Sequence, residues 1–314
     1  NTPGPSNTPT ATPTVTPTTT PTPDCEDDVL GVANGYNVFI LGDVNQVGSD
    51  TEGYMAVGGD ATLKSYSVGA GLPPASGDVL VVGEDLTYYY GTVHNGQGVY
   101  GGTISTISVN GTFVAGSPID FAAAATDLDN HCSDLAALPV NGTTTVQPWG
   151  TVELDGTDPN FNVFEVSSLD VSNANVLQID VPAGSTVLIN VTGATGELVY
   201  LGFDMLGTAA EDVLFTFCDA TTLDIEGIGV PGSILAPGAD VTFNNGQVNG
   251  TLVGASLVGN GQANNTPFAG CIPEGSLPRT AAPRKPRTEG QIGRSADDLP
   301  AHLRRAMVRM FSRR

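Results

Sequence analysis

Cationic side chains are almost missing from the first 278 residues of this 314-residue chain. Ten of its eleven Lys and Arg lie at or beyond Arg279, and Lys64 alone serves everything before it. A duplex-binding body is therefore excluded, because phosphate contacts need clustered Lys and Arg. No run of eighteen apolar residues occurs, so a membrane-spanning helix is not expected either. Nucleotide and acyl-transfer chemistry lack their signatures: there is no glycine-rich loop followed by Lys and no Gly-x-Ser-x-Gly elbow. The three histidines, His94, His131 and His302, have no sequence neighbours that suggest a metal or a nucleophile relay. Thirty acidic residues before position 275 offer many chance carboxylate pairs, but no cleft signature selects two, so a glycan-active enzyme is the remotest reading. No enzyme is expected.

What is present falls into unlike parts. Residues 1–274 carry one Lys against thirty acids, a formal −29. Residues 275–314 carry ten basic and three acidic residues, a formal +7. The sequence is an acidic body with a basic tail. Residues 1–23 contain ten Thr and seven Pro with almost nothing to bury, which fits an extended stalk within a linker spanning 1–24. A first residue of Asn fits removal of a secretion signal, and fits trimming equally well.

Between about Asp28 and Phe268 short apolar runs alternate with Gly, Asn and Pro. Candidate strands are Asn37–Leu41, Tyr54–Val57, Val79–Val82, Thr186–Val191, Ser233–Ala236, Asp240–Phe243 and Thr251–Val253. They are short, rich in Val, Ile and Thr, and bounded by turn residues, so the class is all-β. A loose echo runs through MAVGGDATL (55–63), VLVVGEDLTY (79–88) and GVYGGTIST (98–106), whose glycines Gly58, Gly83 and Gly101 align. Such imperfect repeats suit the coils of a β-solenoid, and periodicity alone leaves a β-sandwich equally open. One segment departs from this pattern. Ser117-Pro118-Ile119-Asp120 resembles a helix start with a Ser cap, and Phe121, Ala124, Ala125, Leu128, Cys132 and Leu135 then keep helical spacing up to Pro139. One amphipathic helix is expected to lie against the β-body.

Four stretches together resemble the choice-of-anchor A domain of bacterial surface and secreted proteins. They are 30–69 (LGVANGYNVFILGDVNQVGSDTEGYMAVGGDATLKSYSVG), 163–171 (VFEVSSLDV), 181–193 (VPAGSTVLINVTG) and 227–262 (GIGVPGSILAPGADVTFNNGQVNGTLVGASLVGNGQ). The resemblance extends to ice-binding-like adhesive domains, which implies an irregular β-solenoid (β-helix) with one flanking helix. It also implies a secreted or cell-surface adhesive or structural module, whose partners are surface polymers or other copies of itself in a fibre or matrix. Ice or carbohydrate binding is the alternative function; no regular Thr-x-Thr ladder is visible in the body. Leu277-Pro278-Arg279-Thr280-Ala281 is similar to a sortase signal, yet Ala281 stands where Gly belongs and no hydrophobic segment follows.

Cys25, Cys132, Cys218 and Cys271 are too far apart for a compact zinc knuckle. Of the three pairings they allow, Cys25–Cys271 with Cys132–Cys218 is favoured, since the first pair flanks a body spanning 25–272. Secretion makes disulfides expected. No cofactor is required. The one candidate ion site is a calcium loop in GDVNQVGSDTEG (42–53), where Asp43, Asn45, Asp50 and Glu52 supply hard oxygen ligands, although the spacing fits no EF-hand. Beyond residue 272 the tail can form a helix over 298–312, with Leu299, Leu303, Met307, Met310 and Phe311 on one face and Arg304, Arg305 and Arg309 elsewhere. Such a helix could meet an anionic membrane surface or the acidic body of another copy.

Overall fold

A computed structural model describes residues 24–26 and 29–277, all within the first of two units of the chain, residues 1–278. After a single 3-10 turn at Gly31–Ala33, the chain winds in coils around one long axis. The first coil is β1 (Tyr36–Ile40), β2 (Val44–Val47) and β3 (Asp50–Thr51). The second is β4 (Tyr54–Val57), β5 (Ala61–Lys64) and β6 (Ser67–Val68). Then β7 (Asp78–Val82) leads into β8 (Leu86–Tyr100) and β9 (Ile104–Ala115), long strands that bend across successive faces. Helix α1 (Phe121–Ala136) carries the chain back along the outside.

Winding resumes with β10 (Thr143–Val146), β11 (Thr151–Asp155), β12 (Phe161–Ser167), the short α2 (Ser168–Ser172) and β13 (Val176–Asp180). Two full coils follow: β14 (Thr186–Thr192), β15 (Thr195–Val199) and β16 (Gly202–Leu206), then β17 (Val213–Thr216), β18 (Thr222–Glu226) and β19 (Gly229–Val230). The last coils are β20 (Ser233–Asn244) with β21 (Gln247–Asn249), and β22 (Leu252–Gly259) with β23 (Gln262–Asn264). Except for β10, which is antiparallel to β11, every strand pairing is parallel. The fold is an all-β solenoid with three faces.

Axial order differs from chain order. On the first face the strands run β12–β14–β17–β20–β22–β1–β4–β7–β8–β9, so the amino-terminal β1 is seated between β22 and β4. From β12 to β7 both sides of this face are buried, which explains its near-continuous apolar strands. Val38, Ile40, Met55, Val57, Leu80 and Val82 fill the lumen, while Phe39, Ala56, Val81, Leu188, Leu214 and Leu235 turn outward. The outward set packs on Ala124, Leu128, Cys132 and Leu135 of α1. Helical spacing of the latter four thus matches a seam of one outward residue per rung.

The helix begins later than its sequence suggests. Asp120, not Ser117, is the cap: its carboxylate accepts from Ala123 N at 3.0 Å. Asp satisfies an orphan N–H as well as Ser does, and Pro118 and Ile119 remain in the approach. Glycines Gly58, Gly83 and Gly101 stack at one corner with ordinary φ. A Cβ on Gly83 would collide with the Gly58 carbonyl oxygen, and one on Gly101 with that of Gly83. The sequence echo is therefore a column in which the rung above occupies the place of a side chain. Two disulfides complete the body. Cys25–Cys271 ties the two ends of the described chain, beside the Glu26 N to Ile272 O bond of 2.7 Å, and Cys132–Cys218 ties α1 to the residues after β17.

Candidate binding faces

With the first face under α1, the second and third remain open. The second is built from β15, β18, β20, β22, β2, β5, β8 and β9 in that axial order. Period-2 alternation sends Leu198, Leu223, Val241, Leu257, Leu63 and Tyr88 inward and leaves a polar set outside. Strand register sorts the outward residues into columns. The middle column runs Glu197, Asp224, Thr242, Val258 in one half and Asn45, Thr62, Thr87, Ser105 in the other. The half nearest β9 is uncharged in this column.

At the edge of the same face the carboxylates are structural braces. Asp43 Oδ1 accepts from Asp60 N (2.9 Å), Asp60 Oδ1 from Asp85 N (3.0 Å), and Asp85 Oδ1 from Thr103 N (2.6 Å). Each carboxylate satisfies the backbone donor of the next rung. The third face carries Gln247, Gln262, Asp50, Ser67, Thr92 and Asn110 in one column. Beside it, Asn264 Nδ2 donates to Asn249 Oδ1 at 2.7 Å. Asp50 is held above the ordinary carboxylate range by burial and by Glu52, with His94 acting the other way.

The calcium ligands expected from the sequence are not gathered by this geometry. Asn45 points out from the second face, Asp43 braces its edge, Asp50 stands on the third face, and Glu52 Oε2 accepts from Asn265 N at 2.9 Å. Consecutive strands of one coil lie on different faces, so oxygens close in sequence point apart. Among the described residues no group of three or more His, Cys, Asp or Glu could hold a metal. The tail residues Leu299, Leu303, Arg304, Arg305, Met307, Arg309, Met310 and Phe311 lie outside the described residues. No helix among the described residues is long and apolar enough to cross a membrane. A recess of about 400 Å³ opens at the start of α1, beside Gly58, Gly83, Glu84, Ser117 and Phe121; its Asp120 is engaged in capping.

One feature of the surface is invisible in the sequence. The chain's single Trp, Trp149, is 66% exposed, and Tyr200 is 70% exposed. They occupy the same corner two rungs apart. Thr151, Val176 and Gly202 are in register, and Asn175 bridges the rungs: its N donates to Gly150 O (2.6 Å), its Nδ2 to Trp149 O (3.3 Å), and its O accepts from Gly202 N (2.8 Å). Rung spacing places the two aromatic positions about 9–10 Å apart along the axis. Tyr200 lies over Gly227, where a Cβ would meet the ring, and its hydroxyl donates to Glu226 Oε1 at 3.1 Å. Glu226 thus raises the Tyr200 pKa and fixes the phenol. The only sequence signal for this ridge is a repeated separation of 25–26 residues, visible at Trp149, Asn175 and Tyr200 once the coil is known.

A family model described as "Putative Ice-binding-like adhesive domain" matches residues 29–265. Solved structures that the chain is similar to include the ice-binding protein 1 DUF3494 domain of Shewanella frigidimarina, at 16% identity over 79% of this chain and 98% of that one, TM-score 0.29. An ice-binding protein from an Antarctic Flavobacteriaceae bacterium is 12% identical over 78% of this chain and 84% of that one, also with TM-score 0.29. A search of curated proteins gives no match.

Proposed function

Because this chain belongs to the ice-binding-like adhesive domain family, we propose that it is a non-enzymatic extracellular module that grips a polysaccharide through its open solenoid surface. The observation that carries this reading is the Trp149–Tyr200 ridge. Large exposed aromatic rings are costly to leave in water, and rings are the side chains that stack on sugar faces. Their axial separation suits contact with alternate units of an extended glycan, with Glu226 and Asn175 beside them as hydrogen-bond partners. Two disulfides support a site of action outside the reducing cytosol. The segments resembling choice-of-anchor A, 30–69 and 227–262, support a place at the cell surface, and the basic tail supplies a contact for an anionic membrane or a neighbouring copy.

The test is sedimentation of the full chain with insoluble chitin, cellulose and peptidoglycan. Binding to at least one polymer is expected, weakened roughly 5–30-fold by Trp149→Ala or Tyr200→Ala, the loss of ~1–2 kcal/mol typical of an aromatic anchor. Retention of full affinity by the double variant would remove the ridge from the reading. The uncharged column Asn45, Thr62, Thr87, Ser105 favours ice as a second ligand. Thermal hysteresis by the native chain that is abolished in Thr62→Lys, with no polymer bound, would replace polysaccharide by ice.

A further inference from the structure

The two ends of the solenoid are finished differently. At the far end each face is closed. The Val163 carbonyl of β12 accepts from Asn141 N (3.2 Å) and Gly142 N (3.1 Å), Val163 N donates to Asn141 Oδ1 (2.7 Å), and Thr144 Oγ1 donates to Glu165 O (2.9 Å). Helix α2 packs over β15, and the β10–β11 hairpin ends the third-face sheet. At the near end, β9 runs across all three faces and, among the described residues, pairs with β8 alone. Leu86 N donates to Thr103 O (2.8 Å) and Gly116 N to Tyr100 O (2.9 Å), so ladder alternation turns the N–H and C=O of Ile104 and Thr106 to the open side.

Such an edge usually carries charge, proline or a cover that prevents pairing. β9, ISTISVNGTFVA, has twelve residues, no charge and no proline, and it exposes Ile107 (51%) and Val114. We propose that this edge is a self-association surface, where β9 of one copy pairs antiparallel with β9 of a second, two-fold-related copy, joining two bodies end to end. Among the described residues no other strand reaches this position, and the remaining sequence is poorly suited to a ladder. Residues 1–23 carry seven Pro, which lack ladder donors, and residues 278–314 are a basic run dense in Pro and Arg. A second acidic body is repelled from the carboxylate-lined second face, and the uncharged end rung is where two such bodies can meet.

This dimer goes beyond polymer binding and can fail independently of it. Sedimentation velocity of the full chain decides it, in low and high salt. The native chain should sediment at twice its 32.1 kDa mass, with the dimer fraction rising in high salt as repulsion is screened. Ile107→Lys and Thr106→Pro, the second removing one outward N–H, should leave a monomer with unchanged circular dichroism. Leu169→Lys, an exposed change on α2 at the far end, should leave the dimer intact. Should Thr106→Pro fail to fold, Ile107→Lys alone decides, because its side chain stands in solvent. A native chain that stays monomeric at its solubility limit overturns the proposal. So does a dimer that survives Ile107→Lys, or one that salt dissolves, since the latter marks a contact between basic tail and acidic body.

Discussion

Replacing Gly83 by Ala adds one methyl group, and the structure states where it goes. With ordinary φ at this position the backbone tolerates any residue, so the cost is wholly steric. The new Cβ would overlap the Gly58 carbonyl oxygen and lie 3.3 Å from the Phe121 ring. That oxygen would have to retreat by on the order of 1 Å to restore a C···O separation of ~3.3–3.6 Å. Retreat opens the rung locally and strains the bonds from Gly83 N to Val57 O (2.7 Å) and from Gly58 N to Ile40 O (2.8 Å). Overpacking of a close-packed site costs ~1–3 kcal/mol, and two weakened backbone bonds add up to ~1 kcal/mol each. Reduced freedom of the unfolded chain returns ~0.4–1 kcal/mol. The net destabilisation is about 2–3 kcal/mol, a fall in Tm of roughly 5–10 °C for a body of this size. Gly77 is the control: it has φ +75° and no neighbour within 4 Å of a built Cβ. Ala there costs only the left-handed conformation, ~1–2 kcal/mol before the same unfolded-state return. Calorimetry under oxidising conditions compares the two. If Gly83→Ala melts within a degree of the native protein, or no lower than Gly77→Ala, the stacked-glycine account is wrong.

Two further outcomes are expected. Cys132→Ala with Cys218→Ala opens a crosslink of sequence separation 86 and should lower unfolding free energy by up to ~4.5 kcal/mol in urea titrations. Asp50→Asn should raise the unfolding free energy at neutral pH by less than ~1 kcal/mol, the half-buried carboxyl being partly screened by solvent. Its folded pKa is raised, chiefly by burial, so the native state favours the protonated acid and the ionised group opposes folding. The gain from Asn should therefore fade as pH falls through the folded pKa and vanish below the ordinary aspartate value of ~4. A gain that persists in acid would contradict burial as the cause.

Local order was legible because it is written locally. Tyr54–Val57 is a strand where its apolar run ends at glycine, and Val79–Val82 gains only Asp78. Ser233–Ala236 and Asp240–Phe243 form one bent strand, because Pro237-Gly238 turns a corner without breaking pairing on either side. The helix was visible from its 3.6 period, and its start slipped because Ser117 and Asp120 are both competent caps. The binding ridge was not legible. Trp149 and Tyr200 meet only through rung register, and rung offsets vary, from 15 residues between Gln247 and Gln262 to 27 between Thr195 and Thr222. Nor could sequence separate the oxygens of 42–53 onto different faces, since the turn that parts Asn45 from Asp50 is set by coiling. Side-chain chemistry was readable, and its direction in space was not.

The seating of β1 between β22 and β4 bears on synthesis. A ribosome delivers β1 more than two hundred residues before the strand that completes its ladder, so the amino-terminal coils must wait with one edge open. Closure is a late, whole-chain event, and the Cys25–Cys271 crosslink can form only then. A chain exported unfolded meets that requirement naturally, whereas one folding as it emerges would expose its sticky edge throughout. The same topology describes a shorter route: a circular permutant joined across the Cys25–Cys271 clasp and opened between β9 and α1 would lay down its rungs in axial order. It should refold faster than the native connectivity while reaching the same structure.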